Sequence, residues 1–175
     1  RTRRLIATMT AAVRAWVQTT RAEREFLGSE VPIDVAPPAG DREVRLVGRA
    51  DWVSRGADGR VVISDFKTSA ATPSRSEVDE QAQLAVYQVA VALGAFGSAA
   101  EPGGGELVML RPGTPKVLHQ APLDQAAVAA WIDTLGSAAG AIAGSSLLAR
   151  QGPGCDRCPV RAACPLRPEG RMVTQ

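Results

Sequence analysis

The stretch that decides the fold is VVISDFKT at residues 61–68, together with VGRAD at residues 47–51. The first stretch is rich in the β-branched residues that favour strands, and the second lies in a run that also reads as a strand. Residues 55–59 read RGADG, a glycine-bearing connection suited to a hairpin. We therefore predict an antiparallel hairpin with strands over 43–54 and 60–67.

Alternation along these strands predicts which polar side chains meet. If the five-residue loop closes evenly, Ser54 faces Arg60. Because strand side chains alternate with period two, Asp51 then shares a sheet face with Asp65 and Lys67. Asp51 and Asp65 become diagonal neighbours, about 7–8 Å apart.

Two carboxylates and a lysine on one face have a specific chemical use. Asp51 and Asp65 can anchor Mg²⁺ or Mn²⁺, since Mg²⁺ prefers oxygen ligands and keeps several waters. The ion activates water, and the Lys67 ammonium can stabilise developing negative charge. This chemistry is phosphodiester hydrolysis. The alternative is a surface hairpin whose Asp and Lys form an exposed ion pair, contributing about 0–1 kcal/mol.

The flanking segments alternate between helix and strand. Apolar residues recur at helical spacing over 5–24 and again over 77–94, and residues 30–35 are predicted to form a short strand. Residues 101–105, EPGGG, predict a flexible connection.

The second half of the chain repeats this alternation. Residues 106–111 and 117–121 form a second candidate hairpin, and residues 124–149 are predicted to be helical with Asp124 as the N-cap. The order of elements implies one mixed α/β sheet with helical cover. We expect a core over 1–150 and a Cys-rich tail over 151–175.

Composition favours a cytoplasmic protein. The net charge is +2 and 45% of residues are hydrophobic. We expect no membrane segment, because no apolar run approaches the roughly 20 residues that span a bilayer. The chain has no initiator Met and opens inside a predicted helix, so we expect it to be a fragment truncated at its N-terminus.

The hairpin motifs closely resemble those of the RecB-like branch of the PD-(D/E)xK nucleases. In that family an Asp follows Gly-x-x, as Asp51 does here, and the next strand ends in Asp-x-Lys-Thr, as at residues 65–68. A Gln-x-x-x-Tyr motif on the following helix matches Gln83 and Tyr87. The resemblance runs from about residue 25 to 164. It implies a restriction-endonuclease-like mixed β-sheet flanked by helices.

The resemblance also implies roles for individual residues. The catalytic set is Asp51, Asp65, Lys67, Gln83 and Tyr87. Metal ligands would be Asp51, Asp65 and the backbone carbonyl of Phe66, and Arg49, Gln83 and Tyr87 would contact nucleic acid.

One element of the family's motif set is missing here. Many members carry an upstream helical His that binds metal. The only histidine of this chain, His119, lies downstream in a candidate strand and is expected to be structural. Glu25 and Glu30 are candidates for an additional acidic group.

The three cysteines of the tail, Cys155, Cys158 and Cys164, have the spacing of a metal or cluster site. Zinc and [4Fe–4S] both usually take four protein ligands, and spacing does not choose between them. Relatives such as AddB and the AdnA/AdnB subunits end in Cys-x2-Cys-x5-Cys. The resemblance therefore implies a structural [4Fe–4S] cluster whose fourth Cys lies before the nuclease core, outside this chain.

The implied parent is an ATP-dependent bacterial helicase–nuclease that resects double-strand breaks in recombinational repair. A motor domain elsewhere in the parent chain would feed single-stranded DNA ends to this domain, and a second helicase–nuclease subunit would be the partner. Two alternatives remain open: a catalytically inactive DNA-binding or scaffold module of the same fold, and a stand-alone exonuclease.

Overall fold

The computed structural model describes residues 2–39, 42–69, 71–111, 114–144, 149–152 and 154–167. The chain divides into two compact units, Arg1–Gly136 and Ser137–Gln175. The first unit contains the sheet, and the second contains the cysteine-bearing tail.

The helices and strands follow one another along the chain much as the sequence predicts. In chain order they are α1 (Thr2–Glu23), β1 (Glu25–Val35), β2 (Pro38–Ala39), β3 (Arg42–Glu43), β4 (Leu46–Arg55), β5 (Val61–Lys67), α2 (Arg75–Asp79), α3 (Ala82–Ala92), β6 (Pro102–Met109), β7 (Lys116–Gln120) and α4 (Gln125–Ala143).

The main sheet has five strands in the order β1-β4-β5-β6-β7. Neighbouring strands are antiparallel except β5 and β6, which are parallel and are joined through α2 and α3. A parallel pair needs such a crossover because its strands cannot be joined by a tight turn. The predicted mixed α/β sheet with helical cover is confirmed.

The two faces of the sheet have separate cores. On one face α3 contributes Leu84 and Val91, which pack with Ile63 and Leu107 of the strands. On the other face Trp16 of α1 meets the rings of Trp52 and Phe66 edge-on, with centroids 5.3 and 5.2 Å away. Such aromatic pairs stabilise by about 0.5–1.5 kcal/mol beyond their buried area. The sheet is therefore fixed from both sides.

The β4–β5 hairpin forms as predicted, but with a different register. Ser54 pairs with Val62 and Arg55 with Val61, so the predicted pairing of Ser54 with Arg60 was wrong by two residues. The loop is residues 56–60, closed by the Gly56 N–H to the Arg60 carbonyl at 2.9 Å. A shift of two keeps every side chain on its face. It brings Asp51 from a diagonal position to the level of Asp65.

The predicted helix over 77–94 is interrupted. It is divided into α2 and α3 because Gln81 is extended, with φ −67° and ψ 105°. The Gln120 side-chain amide lies 3.0 Å from the carbonyl of Val78 and 3.1 Å from those of Asp79 and Gln81. Gln120 thus binds the carbonyls at the break and connects the start of α3 to β7.

The glycines at 103–105 lie within β6, so the prediction of a flexible connection over 101–105 was wrong. A Cβ on Gly105 would lie 3.0 Å from the Cβ of Leu84, and one on Gly104, whose φ is +106°, would lie 2.8 Å from the Gln120 carbonyl oxygen. Glycine lets β6 pass close to both α3 and β7.

The last helix, α4, follows Asp124, whose Oδ1 accepts a hydrogen bond from the Ala127 N–H at 2.8 Å. The predicted N-cap is therefore confirmed. Residues 145–148 of the predicted helix lie outside the described residues. Within the described part of the chain, α4 is the one helix that meets the length and composition of a membrane span, which qualifies the expectation that no segment would.

Candidate active site

Asp65 lies near the end of β5, with only 4% of its side chain exposed. Its Oδ1 accepts a hydrogen bond from Gln83 Nε2 at 2.8 Å. Its buried Oδ2 lies 2.7 Å from the Lys67 Nζ, an ion-pair distance. Lys67 is thus the one described partner of this oxygen.

Burial is the main influence on the pKa of Asp65, and it raises that pKa above the usual aspartate value. Hydrogen bonding and charge attraction from Lys67 oppose the rise, as does the hydrogen bond from Gln83, whereas the nearby charge of Asp51 adds to it. The electrostatic influence of Asp51 reflects the closeness of the two carboxylates.

Asp51 occupies the place in β4 where strand pairing stops. The paired residues of β4 and β5 end at Trp52 and Ser64. Beyond them the Phe66 N–H donates to the Asp51 Oδ2 at 2.8 Å. The side chain of Asp51 therefore replaces a backbone acceptor, and its other oxygen has no hydrogen bond from the described residues.

Gln83 links the remaining members of the predicted set. Its Oε1 accepts from Lys67 Nζ at 2.9 Å, and its Nε2 also donates to the Tyr87 hydroxyl at 3.0 Å. That hydroxyl donates to the Arg49 backbone carbonyl at 3.1 Å. Burial raises the pKa of Tyr87, and the charges of Asp65 and Asp51 add to the rise, so Tyr87 stays a neutral donor.

The five predicted catalytic residues therefore lie in one cluster. They come from β4, β5 and α3: Asp51, Asp65, Lys67, Gln83 and Tyr87. Arg49 contacts the cluster through its backbone, while its guanidinium pairs with Glu30 at 3.6 Å.

The donor set suits a hard divalent cation. Carboxylates such as those of Asp51 and Asp65 are the oxygen ligands that Mg²⁺ and Mn²⁺ prefer. Among the described residues no group of three or more His, Cys, Asp or Glu side chains could hold a metal ion. The metal-binding roles of Asp51, Asp65 and the Phe66 carbonyl stay a prediction.

The other acidic candidates form ion pairs outside the cluster. Glu25 pairs with Arg55 at 3.0 Å, and Glu30 pairs with Arg49. Glu30 has a φ of +52°, uncommon for a non-glycine residue, and its neighbours in β1 pair with the residues that flank Asp51.

The sequence model of the PD-(D/E)XK nuclease superfamily matches residues 1–165. The chain belongs to this superfamily. Membership identifies it as a nuclease domain, and the sheet with its carboxylate and lysine cluster agrees with that assignment.

Among solved structures, the PD-(D/E)XK domain is similar to the crystal structure of a protein named SSO0001. The TM-score is 0.53 at 22% identity, and the match covers 79% of this chain and 60% of the other. This likeness supports the shared fold, and the chain spans less than two thirds of that protein's length. None of the curated proteins matches the chain.

The three cysteines of the PD-(D/E)XK chain line one cavity of about 180 Å³ in the second unit, with Arg161 and Arg167 on its walls. Cys155 begins one short 3₁₀ helix, Cys155–Arg157, and Cys158 and Cys164 each follow such a helix. The Gly152 N–H lies 3.2 Å from the Cys155 sulfur. The cysteines line the same cavity, but among the described residues they do not form a group that could hold a metal ion.

The sequence patterns did not indicate a second polar cluster on the opposite sheet face. The Glu106 carboxylate accepts from Ser64 Oγ at 2.7 Å, and it pairs with Arg24 at 2.7 Å and with His119 Nδ1 at 3.2 Å. The available signal was a glutamate inside the apolar strand 105–110, because a buried carboxylate requires partners. The expected structural role of His119 agrees with this contact.

Proposed function

We propose that this domain is a metal-dependent DNA nuclease that hydrolyses phosphodiester bonds at the Asp51–Asp65–Lys67 cluster. The observation that carries the proposal is the buried Asp65 carboxylate, which has one oxygen in contact with Lys67 alone and lies near a second carboxylate, Asp51.

Asp51 and Asp65 would hold Mg²⁺ or Mn²⁺, with the Phe66 carbonyl as a further ligand. When bound, the ion supplies Lewis acidity and a lowered water pKa. Lys67 would stabilise negative charge that develops on the phosphate. Gln83 orients the side chains of Asp65 and Lys67, because it donates to Asp65 and accepts from Lys67.

Nucleic acid would enter over Gln83, Tyr87 and Arg49. Both α3 side chains reach the cluster through hydrogen bonds. The Arg49 guanidinium is 64% exposed, and its partner Glu30 is 3.6 Å away, so a phosphate could displace that weak pair.

The wider role follows from the resemblance to RecB-like nucleases. We propose an exonuclease domain of an AdnA/AdnB or AddB type helicase–nuclease subunit, in the cytoplasm, acting on single-stranded DNA ends during double-strand break repair. The helicase motor of the parent chain and a second subunit would be its partners. The order of the motifs along the chain supports this assignment.

For the tail we propose a [4Fe–4S] cluster bound by Cys155, Cys158 and Cys164, with its fourth ligand outside this chain. The shared cavity supports it, and the two arginines on its walls would offset the negative charge of thiolate ligands. Anaerobic purification of the parent protein should give a brown protein with iron and sulfide. Stoichiometric zinc in a colourless protein would contradict the cluster.

The nuclease proposal is tested by cleavage of labelled single-stranded DNA with Mg²⁺ or Mn²⁺. Asp65→Ala and Lys67→Ala should each lower the rate on the order of 10³-fold, because several kcal/mol of charge stabilisation are lost. Circular dichroism should show an intact fold. Cleavage should also stop when a chelator is added.

The matched control is Asp34→Ala, which removes an exposed aspartate on β1 that pairs with Arg45 and should leave cleavage unchanged. Undiminished cleavage by Asp65→Ala would contradict the site. DNA binding without cleavage by the unmodified protein would instead favour a binding module.

A further inference from the structure

Gln120, the last residue of β7, is a buried polar side chain with 5% of its surface exposed. It pairs with Gly105 across β6 and β7, and Gly105 pairs with Ile63 across β5 and β6. Paired residues point to the same face, and so does Asp65, which lies two residues after Ile63. Gln120 therefore shares a sheet face with the proposed active site.

The amide of Gln120 binds the break between α2 and α3. Its Nε2 lies 3.0 Å from the Val78 carbonyl oxygen and 3.1 Å from those of Asp79 and Gln81. Val78 and Asp79 end α2, whereas Gln81 directly precedes α3. One buried side chain thus fixes both sides of the break to β7.

The start of α3 depends on this contact because it has no side-chain cap of its own. Gln81 is extended, and its side chain makes no capping hydrogen bond. The first N–H groups of a helix lack partners within the helix, and helix ends fray. The Gln81 carbonyl accepts the Ala85 N–H at 3.1 Å as well as the Gln120 amide. Gln120 therefore anchors the residue from which the first turn of α3 begins.

Gln83 is the second residue of that turn. Its side chain donates to Asp65 and accepts from Lys67, so its alignment depends on where the turn lies. The fully buried Leu84 packs closely on β6 and sets the distance between helix and sheet. The anchored Gln81 carbonyl sets the direction in which the turn starts.

A second buried amide holds Gln120 in its orientation. Gln88 of α3 is fully buried, and its Nε2 lies 3.0 Å from the Gln120 Oε1 and 3.1 Å from the Ala121 carbonyl oxygen. Its Oε1 accepts the Leu123 N–H at 2.8 Å. A rotated Gln120 amide would leave buried donors and acceptors in this network unpaired, which is costly at low dielectric. The folded protein therefore favours one orientation of Gln120.

We propose that Gln120 is a positioning residue for phosphodiester hydrolysis and acts on the active site through Gln83. This inference rests on the proposed nuclease function. Gln120 holds the first turn of α3, and that turn carries the amide that orients Asp65 and Lys67. A displacement of about 1 Å caused far from the reacting atoms can lower a rate on the order of 100-fold.

The test is Gln120→Met in the whole chain, which keeps a side chain of similar length but removes both amide donors. The single-turnover rate of DNA cleavage should fall about tenfold, while the DNA concentration that gives half the maximal rate stays unchanged. In a Gln83→Ala background the same substitution should cause no further fall. An equal tenfold fall in both backgrounds would overturn the proposal, because Gln120 would then not act through Gln83.

A rescue variant tests the first turn directly. Gln81→Ser supplies a cap to α3, since a serine before a helix accepts the N–H of the second or third helical residue. Added to Gln120→Met, it should restore most of the lost rate, and failure to do so would contradict an effect through this turn. If Gln120→Met does not fold, Gln120→Asn, whose amide is one carbon shorter, is measured in the same way.

The matched control is Glu106→Gln, which changes a buried polar residue on the opposite face of the sheet. It should lower stability but leave the rate of cleavage unchanged. A fall in rate as large as that of Gln120→Met would show that lost stability alone is sufficient, and it would overturn the proposal.

The NMR signals of the Gln83 side-chain amide give a readout that does not depend on cleavage. Its Nε2 donates to Asp65 and Tyr87, so its proton shifts should differ from those of exposed glutamines. In Gln120→Met they should move towards the exposed values, and unchanged signals would overturn the proposal. If the signals move but the unmodified protein cuts no DNA, the nuclease proposal fails while positioning of Gln83 by Gln120 is supported.

Discussion

Two buried carboxylates lie one register position apart on opposite faces of the sheet, and their surroundings differ. Asp65 and Glu106 each expose 4% of their side chains. Ser64 donates to one oxygen of Glu106, and Arg24 and His119 contact the other. Gln83 donates to one oxygen of Asp65, Lys67 alone contacts the other, and the negative charge of Asp51 lies nearby.

This difference fits a structural role for Glu106 and the catalytic role that we propose for Asp65. A buried charge is tolerated when its partners are complete and remains costly when they are not. The raised pKa of Asp65 reflects that cost. A divalent cation at Asp65 would supply what the surrounding side chains do not.

The largest effect is the difference in the free energy of unfolding that we expect between Glu106→Gln and Asp65→Asn. Removing the Glu106 charge leaves Arg24 without its counter-charge, so the free energy of unfolding should fall by about 3 kcal/mol. Asp65→Asn should not destabilise the protein in the presence of a chelator. Urea unfolding measures the free energy of unfolding of both variants. Equal losses would contradict the distinction between the two carboxylates.

A smaller effect, on kcat, is expected when Gln83 is replaced. Gln83 orients Asp65 and Lys67 but is not a proposed metal ligand. Gln83→Ala should lower kcat by about 10- to 100-fold, as is usual when a partner of a metal ligand is removed. Gln83→Glu should lower it further, because it places a negative charge against Asp65. Single-turnover cleavage measures both rates.

Gln125→Ala, at the start of α4, is the matched control and should not alter kcat. If Gln83→Glu were as active as the unmodified protein, Gln83 would have no orienting role.

The smallest effect is expected in the pH dependence of stability. Because the folded-state pKa of Asp65 is raised, the folded protein binds this proton more tightly than the unfolded chain. Stability should therefore fall as the pH rises from below the ordinary aspartate value of 3.8 to above the raised pKa. Asp65→Asn should lack this part of the decline. Unfolding is measured with a chelator, and parallel curves for the two proteins would contradict the prediction.

Local sequence patterns predicted the hairpin and its polar face. This was possible because the alternation of side chains along a strand and a glycine-bearing loop are both visible within a few residues. The same patterns missed the register, since the strand pair next to the loop is Arg55 with Val61 and not Ser54 with Arg60. Face assignment survived because the error was an even number of residues. The placement of Asp51, Asp65 and Lys67 on one face therefore needed no long-range information.

Long-range polar contacts were beyond local patterns. Ser64 and Glu106 are 42 residues apart and meet only through the parallel β5–β6 pairing. Likewise, the break between α2 and α3 depends on Gln120, which lies on another strand. Neither contact leaves a periodic signal in the sequence.

The Asp51 carboxylate has two roles. It is a proposed metal ligand, and it accepts the hydrogen bond from the Phe66 N–H where the pairing of β4 and β5 ends. Loss of Asp51 would leave a backbone donor unsatisfied and loosen the end of β5, whereas loss of Lys67 would leave the strand intact. In relatives that lose catalysis, the lysine should therefore be replaced more readily than this aspartate. Conservation of Asp51 alone is thus poor evidence that a relative is active.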